Sequence, residues 1–266
     1  MLPPSLDALP NIDELADSYD FPVDNEEQNF IPNILLFLLE FIWKQREDWF
    51  FAVDMGVYHA TGPHPKVPVI PDGFLSLGVD RRKDGKPRRS YIVWTENNIP
   101  PILTLEVVSQ TPGEEYDEKM TTYARLGVLY YVVYNPQYWR RDGHLPFEVY
   151  KLINGAYQLQ VGEPYWMPEI GLGIGRCPLP DDPLDREILS WYDAQGQRHL
   201  SEAEVERQRL DAERQRAETE RQRAESEHQR AESERQRAET ESQRAEAECQ
   251  RAERLAERLR QLGEEV

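Results

Sequence analysis

Two carboxylates and one lysine are the residues of this chain best suited to chemistry. Asp72 lies in Val69-Ile70-Pro71-Asp72-Gly73, and Glu106 in Leu103-Thr104-Leu105-Glu106-Val107-Val108-Ser109. Lys119 follows in Glu115-Tyr116-Asp117-Glu118-Lys119-Met120. Two carboxylates can hold a hard, oxygen-seeking cation such as Mg²⁺. Such a cation activates water and offsets the charge that builds on a phosphate under attack. A lysine beside it orients the water or stabilises the developing oxyanion. Metal-dependent hydrolysis of a phosphodiester is the reaction that this set suits.

Each residue also has a plainer reading. Pro71-Asp72-Gly73 is an ordinary turn signal, and Lys119 reads equally as a surface lysine paired with Glu115 one helical turn earlier. Glu106 is harder to set aside. It interrupts an apolar strand, where an uncompensated carboxylate is costly and a partner or a metal is required. Asp54, in Val53-Asp54-Met55-Gly56, is a further polar residue in an apolar strand, with structural and functional readings equally open.

The elements that must position these residues follow from periodicity. Asp24 or Asn25 is a candidate cap for a helix through Glu26 to Gln45, with Ile31, Ile34, Leu35, Leu38, Leu39, Ile42 and Trp43 on one face. Pro32 argues for a start nearer to itself. Strands are expected at 49–58, 74–79, 90–94 and 102–109. In the last of these Leu103, Leu105 and Val107 share one side, and Glu106 the other. A helix opening at Thr111 or Pro112 and ending at Gly127 precedes the apolar strand Val128–Tyr134. Strand, helix and buried strand in succession indicate a crossover in a parallel or mixed sheet. Asn154-Gly155 is a hairpin signal between strands at 147–152 and 156–161. Beyond Pro164 the chain reads as loop to about residue 185.

Composition divides the 266 residues. An irregular acidic arm is expected over 1–24, one α/β domain over 25–200, and a charged heptad-repeat helix over 201–266. In the last segment Ala217, Ala224, Ala231, Ala238, Ala245 and Ala252 recur every seven residues. The other heptad core position is mostly glutamate (Glu220, Glu227, Glu234, Glu241), whereas a coiled coil wants an apolar residue there. A solvated single helix of roughly 90 Å is favoured, with a short zipper at its leucine-bearing end as the alternative. The formal charge is −18. The first 200 residues hold 30 acids against 17 bases, which counts against a broad phosphate-binding surface. Arg81-Arg82-Lys83 and Lys86-Pro87-Arg88-Arg89 are the dense basic stretches. The two cysteines, Cys177 and Cys249, suggest neither a disulfide framework nor a metal site. No apolar run is long enough to span a bilayer, and the N-terminus has no secretory pattern. A cytoplasmic protein is expected.

Taken together, Pro71-Asp72, Leu105-Glu106-Val107-Val108-Ser109, Lys119, Tyr123 and Leu126-Gly127-Val128-Leu129-Tyr130-Tyr131, ending at Asn135-Pro136, resemble the Uma2 family. This family, also called DUF820, is a branch of the PD-(D/E)XK nucleases. The resemblance covers roughly residues 20–175, and the heptad tail is similar to tails on cyanobacterial members. It implies a mixed central sheet of the restriction-endonuclease type with flanking helices, and hydrolysis of DNA with Mg²⁺ or Mn²⁺. Asp72 and Glu106 would be the metal ligands. The superfamily keeps its lysine two residues after the second carboxylate, where this chain has Val108, so Lys119 on the following helix is the candidate. A glutamate on the first helix often completes the site, and Glu26 is the match. The family's usual aspartate before the proline is Asn135 here, read as a turn residue. The alternative function is a non-catalytic interaction or nucleic-acid-binding scaffold with a helical recruitment tail. A homodimer through the body or the C-terminal helix stays open.

Overall fold

The computed structural model describes residues 26–61, 67–83, 85–110, 115–261 and 263. The expected acidic arm, the cap at Asp24 or Asn25, and a helix start at Thr111 or Pro112 lie outside the described residues. Two compact units are present, Met1–Glu202 and Ala203–Val266.

The first unit is built on a mixed six-stranded sheet in the order β1-β3-β5-β6-β7-β8. Its strands are β1 (Trp49–Val53), β3 (Gly73–Leu77), β5 (Leu103–Val107), β6 (Tyr130–Tyr134), β7 (Phe147–Ile153) and β8 (Ala156–Leu159). Only β5 and β6 run parallel; the other neighbours are antiparallel. Their crossover carries α2 (Glu118–Leu126), which ends on Gly127 at φ 85°. A residue without a side chain is favoured there, because the left-handed conformation crowds a Cβ. The Gly127 N–H bonds the carbonyls of Tyr123 and Ala124, closing the helix just before β6.

Alternation along the strands sends side chains into two separate cores. One contains Leu75, Leu103, Leu105, Val107, Tyr130 and Val132, covered by α1 (Glu26–Ile42) through Ile31, Leu35 and Leu39. A three-stranded antiparallel sheet of β9 (Tyr165–Met167), β10 (Leu172–Pro178) and β11 (Glu187–Tyr192) completes this side. The indole N–H of Trp191 donates to the Leu35 carbonyl at 2.9 Å and ties β11 to α1. The second core contains Phe74, Tyr131, Val133, Tyr123 and Leu126 and lies under α2. The parallel pair β2 (Val57–Tyr58) and β4 (Tyr91–Ile92) contributes Val57 and Tyr91 to it.

Several expectations need correction. The strand expected at 49–58 is two strands, because Asp54 takes φ 48° and breaks the extended run. The strand expected at 90–94 is cut to two residues by a 3₁₀ turn at Val93–Thr95. The stretch read as loop after Pro164 holds β9 and β10, and β11 follows it. Its Gly171-Leu172-Gly173-Ile174-Gly175 pattern looks like loop, yet Leu172 and Ile174 are buried on one face. Gly173 and Gly175 face the other, where a Cβ would meet Tyr192 at 3.2 Å and Pro164 at 3.0 Å. Pro32 is the seventh residue of α1, so the helix runs through it, with the ring buried.

In the second unit, α4 (Glu202–Gln261) is one continuous 60-residue helix with no buried residue. At 1.5 Å per residue it is about 90 Å long. Among the described residues, no helix is long and apolar enough to cross a membrane.

Gly73 joins α1 to the sheet at the point where Asp72 enters. A Cβ there would lie 3.2 Å from the Pro32 Cβ and 3.3 Å from the Phe51 ring. We expect Gly73→Val to lower stability by about 1–3 kcal/mol through overpacking, measured as a shift in urea midpoint. An unchanged midpoint would contradict this close approach.

Candidate active site

Glu106 is fully buried in β5 and points into the core beneath α2. A charge in that position requires opposite charge or hydrogen-bond donors. Both come from α2. The Lys119 ammonium bonds Glu106 Oε2 at 2.8 Å, and the Tyr123 hydroxyl donates to Oε1 at 2.5 Å. Lys119 and Tyr123 are four residues apart, so one helix face delivers both. The register of α2 over β5 is thereby fixed by a single carboxylate.

Asp72 reaches the same face from the neighbouring strand. Gly73 pairs with Leu105 in the antiparallel ladder, and one step further sets Asp72 opposite Glu106. Opposed residues in such a ladder have Cβ atoms roughly 5 Å apart. Asp72 Oδ2 accepts the Val107 N–H at 2.6 Å, which aims the carboxylate across the strand gap. None of the described residues donates to its other oxygen. The Asp72 carbonyl accepts the N–H of Asp54, where the chain leaves β1. Asp54 thus lies just past the end of β1, tied to Asp72 through the backbone.

The electrostatics follow from burial and like charge. Burial first, and then the Glu106 carboxylate, push Asp72 well above the usual aspartate range, against the pull of Lys119 and the Val107 N–H. Burial opposes the charged form of Lys119, but Glu106 and Asp72 outweigh it and hold the ammonium above its ordinary pKa. Burial and the nearby Glu106 charge push the Tyr123 hydroxyl well up, so it stays a neutral donor. Glu115, just before α2, is also buried, which raises its carboxyl. Its carbonyl accepts the Tyr131 hydroxyl at 2.7 Å, which pins the approach to α2.

Asp72, Glu106 and Lys119 are therefore brought together. Glu26 is not. Its exposed carboxylate pairs with Arg186 at 3.2 Å, because α1 covers the sheet face opposite Glu106. The alternative pairing of Lys119 with Glu115 gives way to the one with Glu106. Val108 is buried and apolar beside the site and supplies no charge. Asn135 is a turn residue as expected, and a bonded one. Its Oδ1 accepts the Tyr138 N–H at 2.9 Å, and its Nδ2 donates to Asp142 at 2.8 Å. Tyr123 is a further residue of the site, and its spacing of four from Lys119 is the signal that the sequence offers for it.

Among the described residues, no group of three or more His, Cys, Asp or Glu could by itself hold a metal ion. The two facing carboxylates nonetheless fit a hard divalent cation that completes its shell with water and phosphate oxygens. Burial and, after it, the facing Glu106 charge raise the Asp72 carboxyl, and a divalent cation would relieve the second of these.

The profile of the Uma2 family, described as "Putative restriction endonuclease", matches residues 22–175. A solved structure similar to this chain is titled "Crystal structure of a putative nuclease belonging to DUF820 from Anabaena variabilis". It is 11% identical, covers 62% of this chain and 76% of its own, and has a TM-score of 0.39. No curated protein matches the chain.

The Glu106–Lys119 pair makes a stability prediction. Lys119→Met leaves a buried carboxylate without its cation and should cost about 3–5 kcal/mol. Glu106→Gln added to it should recover much of that loss, giving a coupling energy above about 1 kcal/mol in a double-mutant cycle by chemical denaturation. Strict additivity would show that the two side chains do not interact.

Proposed function

The chain belongs to the Uma2 family, and from that premise we propose that it hydrolyses DNA phosphodiester bonds with Mg²⁺, Mn²⁺ serving as substitute. The observation that carries the reading is the set of Asp72, Glu106 and a charge-stabilised Lys119 on one sheet face. Asp72 and Glu106 would hold the cation, which would supply a polarised water and offset charge on the phosphate. The protein's own groups do the rest. The Val107 N–H holds the Asp72 carboxylate in line. The Tyr123 hydroxyl fixes Glu106, and Glu106 in turn orients the Lys119 ammonium. Lys119 is a little over a quarter exposed, so its free protons can reach an attacking water or a phosphate oxygen. We assign no part in this to Glu26.

A second reading is a non-catalytic scaffold that binds nucleic acid or protein. It is favoured by the excess of 30 acids over 17 bases in the first 200 residues, and by a Glu106 whose charge is already balanced. In either reading residues 25–200 carry the site, and 201–266 form a stalk for recruitment or self-association.

A plasmid-nicking assay separates the two. We expect cleavage with Mg²⁺ or Mn²⁺ that stops on chelation. Lys119→Met, assayed below its unfolding transition, should be slower by about two orders of magnitude, the scale of losing one preorganised charge-stabilising group. Folded wild-type protein that cuts nothing with either metal would leave the scaffold reading in place. Normal cleavage by Lys119→Met would refute the role given to that lysine. Deleting residues 203–266 should leave both cleavage and the cooperative unfolding of the body intact, since α4 has no buried side chain. Loss of cooperative unfolding would show that the tail belongs to the core.

A further inference from the structure

Half of the cations in the expected basic stretches are engaged within the body. Arg88 is buried in a two-pronged ion pair with Glu96, at 2.9 and 3.1 Å. Arg81 pairs with Glu40 and lies over the Trp49 ring. Lys83 donates to the Thr95 carbonyl at 2.6 Å. With half of these cations engaged internally and a strongly acidic body, tight binding to duplex phosphates lacks its usual source.

The connection between β6 and β7 offers a different means of binding. β5 and β6 are parallel with Val107 opposite Tyr134. This connection therefore leaves the sheet at the same end as Glu106, one strand away. It contains the short helix α3 (Trp139–Asp142). Arg140 lies over the Trp139 ring at 4.7 Å, and Arg141 over Tyr138 at 4.5 Å. His144 stacks flat on Tyr116, with ring centroids 3.6 Å apart and planes 7° from parallel. The stack is held from below by Glu148, a buried carboxylate on the same sheet face as Glu106. Arg141 donates to the carbonyls of Ser109 and Gln110, tying this segment to the loop that directly follows Glu106. Arg140 is exposed and, among the described residues, has no carboxylate partner.

We propose that residues 138–144 form a stacking ledge for unpaired nucleotides beside the scissile phosphate, so that the site takes single-stranded or frayed nucleic acid in preference to intact duplex. The inference rests on the nuclease reading of the same site. Stacking on aromatic and guanidinium faces supplies affinity without many phosphate contacts, and every base has a face to offer. That suits a body whose net charge repels a duplex. Trp139 and His144 provide rings, Arg140 provides a guanidinium that no carboxylate among the described residues engages, and Arg141 holds the ledge against Ser109 and Gln110.

The test is fluorescence anisotropy with a labelled oligo-dT strand and a labelled duplex of equal length, in chelator so that nothing is cut. Parallel cleavage of both substrates is followed in Mg²⁺. Wild-type protein should bind the single strand more tightly. Trp139→Ala should weaken that binding about tenfold or more, as loss of one stacking ring does, and leave duplex binding unchanged. Trp139→Phe should restore most of it, and circular dichroism should show all variants folded. Equal or tighter duplex binding by the wild type, or single-strand binding unaffected by Trp139→Ala, would overturn the ledge. Duplex cleavage that persists in that case would leave the nuclease reading intact. Stacking-dependent binding without cleavage in any metal would instead overturn the nuclease reading and keep the ledge.

Discussion

The Glu106 carboxylate is buried, and the architecture around it answers that constraint. Its two oxygens take a lysine and a tyrosine from one face of α2. A nine-residue helix has little stability of its own, so its position depends on what it docks against. Here that is a buried ion pair and a charge-assisted hydrogen bond. The Gly127 turn delivers the chain into β6 in register with β5, and the crossover is complete. Removing the cation would leave the whole desolvation cost of the carboxylate in the core. An apolar residue at 106 would in turn strand the Lys119 ammonium and the Tyr123 hydroxyl without their partner. A buried carboxylate that faces a second acid and a lysine marks a candidate functional site.

The second constraint is the like charge facing it. Asp72 is held opposite Glu106 by the ladder and by the Val107 N–H, in a setting that disfavours its ionised form. Gly73 is small because Pro32 and Phe51 close over it, and this close approach seats α1 on the sheet face away from the site. One glycine therefore marks the boundary between the structural core and the chemical one.

Much of this was legible in the residues. A glutamate between apolar strand neighbours announces a compensated site, and the helix face of Lys119 and Tyr123 follows from a spacing of four. The apolar stripe of α1 was plain, as was the parallel crossover. What was not legible depended on contacts distant in sequence. Glu26 matched by position along the chain, but the face taken by α1 decides what it can reach, and it meets Arg186 instead. The strands β9 and β10 were hidden in a glycine-rich run whose glycines exist to let other residues approach. The break at Asp54 required a positive φ that no pattern announces. The basic stretch at 81–89 looked available until Glu40 and Glu96 were found to engage it.

We propose that Asp72 and Glu106 share one divalent cation. The most direct measurement is an anomalous difference map from crystals soaked in Mn²⁺. A single strong peak between the two carboxylates is expected, with Mn–O distances slightly longer than the roughly 2.1 Å typical of Mg²⁺. A map with no peak there, or with manganese only at surface acids such as Glu26, would contradict it.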